Sequence, residues 1–161
     1  MFSSLSACLG FKQKLSVLDL EIEDLVGDGP AVDESIQYLI SKHKDIQSVK
    51  IYSSDCTDKA LSHLLALKKL RTLSIDDSRI TGDQLITATT STDNDDDGSN
   101  EDSLEELSLR WSSLTGTGLA NILRVIGGQS LTLLDLSETR VTMDTVSQLT
   151  NSFPRLKVKR I

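Results

Sequence analysis

Leu131-Thr132-Leu133-Leu134-Asp135-Leu136-Ser137-Glu138-Thr139-Arg140-Val141 carries a hydrophobic spacing that recurs along the chain and points to its architecture. Leu131, Leu134 and Leu136 stand at intervals of three and two, and Val141 follows five residues later. The same stencil occurs upstream as Leu15, Leu18, Leu20, Leu25, then as Ile46, Val49, Ile51, Cys56, as Leu70, Leu73, Ile75, Ile80, and as Leu104, Leu107, Leu109, Leu114. A shortened copy, Phe153, Leu156, Val158, closes the series. Units this small cannot bury their own apolar faces, so they must stack into a solenoid. Stacking leaves a ribbon of outward side chains suited to gripping another macromolecule.

Alternate residues of Leu134-x-Leu136 face one way, so each copy reads as a short strand. Helical spacing follows: Ala60, Leu61, Leu64, Leu65 and Leu67 in the second unit, Leu119, Ile122, Leu123 and Ile126 in the fourth. Pro30 after Asp28-Gly29 is placed to start the first unit's helix, with Ile36, Leu39 and Ile40 behind it. Gly127-Gly128 reads as a helix stop. Strands that alternate with helices should run parallel. First positions recur at spacings of 31, 24, 34, 27 and 22, scattered around the roughly 20–29 residues of a leucine-rich repeat, with two units carrying insertions.

The linking residues narrow the family. Cys56-Thr57-Asp58, Ile80-Thr81-Gly82-Asp83, Leu114-Thr115-Gly116-Thr117-Gly118-Leu119 and Val141-Thr142 repeat an apolar-Thr-small/Asp theme. In this the chain resembles the cysteine-containing class of leucine-rich repeats, familiar from F-box substrate receptors. The resemblance implies an α/β leucine-rich-repeat solenoid, a single curved parallel β-sheet of about six strands with helices on the convex side. One position departs from that class: where it carries Cys or Asn, this chain has Glu23, Ser54, Ser78, Ser112 and Thr139. Hydroxyls at that position can still bond to neighbouring turn backbone.

At 161 residues and 38% hydrophobic, the chain supports one packed domain. It reads as a single repeat domain over 1–161, with 1–14 as an N-terminal cap, 90–103 as an acidic flexible insertion and 153–161 as a C-terminal edge strand. Pro154 within that last strand is tolerable only at an edge, where Lys157 and Lys159 deter further pairing. Net charge is −7, but Asp93, Asp95, Asp96, Asp97, Glu101, Asp102, Glu105 and Glu106 supply eight negatives, and the remainder is at +1. Acidity this local argues for one special loop and against a nucleic-acid surface. Two cysteines, Cys8 and Cys56, are too few to staple a secreted fold, and Cys56 occupies a core position of the stencil. With no run of about 20 apolar residues, the chain is expected to avoid membranes and to work in the cytoplasm or nucleus.

Catalysis needs convergent groups, and they are sparse. His43, in Lys42-His43-Lys44, reads as a solvated helix end, His63 lies on the second unit's helix, and neither has ligand-like spacing to a Cys or a second His. There is no G-x-S-x-G elbow, Walker loop or G-x-G-x-x-G. The expectation is a protein that is no enzyme and takes no cofactor. Asp93-x-Asp95-x-Asp97-Gly98 opens like a calcium loop, but its twelfth position is Leu104, and Glu105 comes one residue late. Asp93, Asp95 and Asp97 therefore carry a calcium-responsive regulator only as an alternative.

Residues flanking the inward leucines should point out from the concave sheet. Three successive outward positions read Asp19, Lys50, Ser74, Ser108, Asp135, Lys157, then Glu21, Tyr52, Asp76, Arg110, Ser137, Lys159, then Ile22, Ser53, Asp77, Trp111, Glu138, Arg160. Trp and Arg are frequent interface anchors, which marks Trp111, Arg110, Tyr52, Asp76, Asp77 and Glu138 as the candidate partner-binding set. Trp111→Ala and Arg110→Ala are expected to weaken binding with folding unchanged. The function read from this pattern is a non-catalytic protein-protein interaction module, monomeric or in a hetero-complex, gripping a protein partner on its concave face. The F-box resemblance implies an alternative, the substrate-recognition part of a ubiquitin ligase.

Overall fold

The structure is a computed structural model that describes residues 19–23, 27–85 and 103–160. Alternating apolar positions give β1 (Asp19–Ile22), β2 (Ser48–Tyr52), β3 (Thr72–Asp76), β4 (Glu106–Ser108), β5 (Leu133–Asp135) and β6 (Lys157–Lys159). All neighbouring pairs are parallel, and the strands lie in chain order. Among the described residues four helices connect them: α1 (Gly29–Lys42), α2 (Asp58–Leu65), α3 (Gly116–Ile126) and α4 (Met143–Ser152). Among the described residues no helix links β3 to β4. The expected cap at 1–14 and nearly all of the acidic insertion at 90–103 lie outside the described residues.

The recurring threonine explains where helices begin. Thr57, Thr115 and Thr142 are N-caps whose side chains accept from Lys59, Gly118 and Thr145 backbone N–H groups, and Asp28 does the same for Ala31 ahead of Pro30. Gly127, at φ 68°, ends α3 in the left-handed conformation that glycine adopts without penalty. Helix residues Ile36, Ile40, Ala60, Leu61, Leu64, Leu119, Ile122 and Leu123 pack into one core with the inward strand residues Val49, Ile51, Leu73, Ile75, Leu107 and Leu134.

A polar ladder joins consecutive units behind that core. Asp33 accepts from the Thr57 hydroxyl at 2.5 Å and its N–H at 3.2 Å. Asp58 accepts from the Thr81 hydroxyl (2.8 Å) and from the N–H groups of Thr81, Gly82 and Gln84 (2.8, 2.9 and 3.0 Å). Asp83 accepts from the hydroxyls of Thr115 and Thr117 at 2.9 and 2.8 Å. Thr57, Thr81 and Thr115 thus donate to the acid of the preceding unit while accepting from a backbone N–H of their own turn. Units approach so closely here that a Cβ on Gly118 would lie 1.8 Å from the Thr81 carbonyl oxygen.

The sheet also corrects the reading of the end units. Val49, Leu73, Leu107 and Leu134 share one register, as their common stencil position predicts, but β1 contributes Leu20 and β6 contributes Val158. The stencil puts both one inward position later, so the end copies are displaced by two residues. A two-residue slip keeps every side chain on the same face, so hydrophobic pattern alone cannot distinguish the registers. Ile22, expected outward in the turn past the strand, is therefore the last inward residue of β1, buried and in register with Ile51. Pro154 sits in the turn before β6 and not in an edge strand over 153–161.

Candidate functional site

Because the helices pack on one face of the sheet, the alternate side chains form an opposite face that no described element covers. In the observed register its central row is Glu21, Lys50, Ser74, Ser108, Asp135 and Lys159. One position further along, Tyr52 pairs with Asp76 in register, and Arg110 and Ser137 continue the row past the ends of β4 and β5.

Asp76 breaks the alternation. It lies on the outward side yet has no exposed surface. The Ser108 hydroxyl donates to its Oδ1 at 3.0 Å and the Arg110 backbone N–H at 3.3 Å, while Arg110 Nε and Nη2 donate to Oδ2 at 3.1 and 2.5 Å. A charge-assisted fork of this kind satisfies a carboxylate that would otherwise be costly to bury. The hydrogen bond to Asp76 also holds the Arg110 guanidinium above the usual arginine range, against some desolvation, with Asp76, Asp135 and Tyr52 adding in the same sense. Asp76 therefore cannot touch a partner directly, contrary to its place among the candidate contacts. It fixes Arg110 instead. By the same token Arg110 is a folding residue as well as a surface one, which revises the expectation that its removal leaves folding unchanged.

Trp111 is 52% exposed, and the Arg110 guanidinium lies 5.0 Å from its ring centroid. Its backbone is left-handed at φ 52°, and so are those of Asp77 (54°) and Glu138 (58°), the equivalent residues of the neighbouring turns. Non-glycine residues adopt this conformation at a cost of about 1–2 kcal/mol each, so the surrounding bonds must hold them there. The Asp77 N–H donates to the Arg110 carbonyl at 3.0 Å and the Trp111 N–H to the Ser137 carbonyl at 3.1 Å. The Ser112 and Thr139 hydroxyls donate back to Leu109 and Leu136 at 2.7 and 2.8 Å, which is the turn-bonding role expected of those positions. The equivalent Ser78 hydroxyl is buried without a partner, and the structure offers no account of it.

Of the candidate set, Trp111, Tyr52, Asp77 and Glu138 are exposed, Arg110 is half-buried and Asp76 is buried. Ser53, counted as outward, is buried as well. Asp93, Asp95 and Asp97 lie outside the described residues. Cys56 is fully buried, and burial, with Asp33 and Asp55 adding to it, pushes its thiol up to about 12. Among the described residues no group of three or more His, Cys, Asp or Glu could hold a metal ion, and no helix is long and apolar enough to cross a membrane. On the helical side a groove between α3 and α4 is lined by Gly116, Thr117, Ala120, Thr145, Gln148 and Leu149, with no charged group. The left-handed triplet had a sequence signal at Asp77 alone, since Trp and Glu stand where Gly, Asn or Asp usually mark such a turn. No protein-family model and no curated protein matches the chain.

Proposed function

We propose that this chain is a leucine-rich-repeat solenoid that binds a protein partner on the concave, uncovered face of its sheet, without catalysis. The single observation that carries the reading is Trp111, half-exposed on a turn fixed by its backbone bonds and stacked by Arg110, which buried Asp76 holds in turn. A large aromatic presented on a rigid support loses little freedom on binding, which is the physical basis of an interface anchor. Chain-order parallel strands and the inter-unit Asp–Thr ladder support the solenoid part.

Affinity capture from the native cell, followed by titration of the recovered partner, tests this reading. Trp111→Ala should weaken binding by about 2 kcal/mol, and the helix-side reversals Lys59→Glu and Arg124→Glu should leave it unchanged. Loss of binding in the helix-side variants with Trp111→Ala unaffected would contradict it.

A further inference from the structure

We infer that the open face takes a basic segment of its protein partner, with a Lys or Arg side chain seated against Trp111 between Asp77 and Glu138. The inference rests on the reading of this face as the binding surface and adds the partner's chemistry.

Three adjacent turns carry Asp77, Trp111 and Glu138 at equivalent left-handed positions, all exposed, tied by the Asp77-to-Arg110 and Trp111-to-Ser137 backbone bonds. Neither Asp77 nor Glu138 has an ion-pair partner among the described residues. Arg110 does not balance them, because its charge is committed to Asp76. The outward positions of β3, β4 and β5 and of the turns after them hold Asp76, Asp77, Glu106, Asp135, Glu138 and Arg110, while exposed Arg79, two residues past Asp77, is engaged by Asp55, and exposed Arg140 stands two residues past Glu138. The open face's lysines, Lys50, Lys157 and Lys159, stand on β2 and β6, the strands next to β3 and β5, with Lys50 in register with Ser74 and Lys159 with Asp135, and none stands on β4 or the turn that carries Trp111.

Chemistry then selects the occupant. An apolar segment over Trp111 would strip water from two flanking carboxylates and give nothing back, which is costly. An acidic segment, a nucleic acid or an anionic membrane would meet like charge. A Lys or Arg gains the ring, whose quadrupole attracts cations, together with charge-assisted hydrogen bonds to both carboxylates. Its aliphatic stem covers the indole at the same time.

Random-peptide display on the immobilised chain tests this, with recovered peptides titrated by the fluorescence of Trp111, the sole tryptophan. Recovered peptides should be enriched in Lys and Arg over the input library and perturb Trp111 emission. They should lose about tenfold in affinity for the double variant Asp77→Asn, Glu138→Gln, which keeps shape and tolerates the left-handed turn. High salt should weaken them similarly. Recovery of no peptides, of peptides without basic enrichment, or of peptides indifferent to the double variant overturns the inference. Binding to Trp111→Ala, which has no tryptophan to report, is read by the anisotropy of dye-labelled peptides: if such non-basic peptides still require Trp111, only the partner chemistry fails; if recovered peptides bind Trp111→Ala as well as the wild type, the open-face reading fails with it.

Discussion

Removing Arg110 and removing Asp76 should not cost the same. Arg110→Ala leaves a carboxylate with no exposed surface and takes away both bonds to its Oδ2, leaving Ser108 and one backbone N–H at 3.3 Å. Stranding a buried charge costs about 3–5 kcal/mol when water stays out. The Arg110 side chain is 33% exposed, so its truncation admits water beside Asp76, and the expected cost falls to about 2–3 kcal/mol. Asp76→Ala strands nothing, because a one-third-exposed guanidinium can turn to solvent, and should cost about 1–2 kcal/mol. The double variant should be no worse than Asp76→Ala alone, giving a coupling of about 2 kcal/mol in a double-mutant cycle. Urea unfolding followed by circular dichroism and by Trp111 emission measures all four proteins. Additive losses, or Asp76→Ala costing more than Arg110→Ala, would refute the claim that Asp76 is a buried charge kept satisfied by Arg110.

Gly118→Ala should destabilise by about 3 kcal/mol or prevent folding, since its Cβ would meet the Thr81 carbonyl at 1.8 Å, whereas Gly116→Ala, facing only the Thr145 side chain at 3.1 Å, should cost under about 1. Thermal melting of the two compares them. Leu107→Asp should unfold the chain cooperatively, because a carboxylate would enter a position that is 1% exposed with no donor in reach of the apolar core; a circular dichroism melt like the wild type's would overturn the strand register. The Cys56 thiol, raised from 9.0 to about 12, should resist alkylation until the chain unfolds. The folded pKa lies above the unfolded one, so Cys56's contribution is whole below about pH 9 and lost as pH rises towards about 12. Cys56→Ala should lack that part of the alkaline decline in urea titrations.

Much of this arrangement was legible in the sequence, and the limits have physical causes. The stencil placed Val49, Leu73, Leu107 and Leu134 in register because each central unit has Leu-like residues at every inward position. At Leu20 and Val158 it slipped, because a two-residue shift preserves the face and only backbone pairing tells the registers apart. The apolar-Thr theme predicted the links but not that Thr57, Thr81 and Thr115 would bond the acid of the unit before, a contact 23 to 32 residues away. Trp111 reads as outward from its place two residues past Leu109, but its exposure comes from the left-handed turn beyond β4 and not from strand alternation, which would point it inward with Leu107 and Leu109. The burial of Asp76 did not, since alternation sees which way a side chain points and not that Ser108 and Arg110 close over it.

Site-specific photo-crosslinking in the native cell reports where on the molecule the partner sits. A photoreactive side chain at Trp111 or Tyr52 should yield a covalent adduct with a discrete protein, and the same group at Lys59 on α2 or Arg124 on α3 should not. Adducts from Lys59 or Arg124, with none from Trp111 or Tyr52, would contradict the claim that the open face of the sheet is the binding surface.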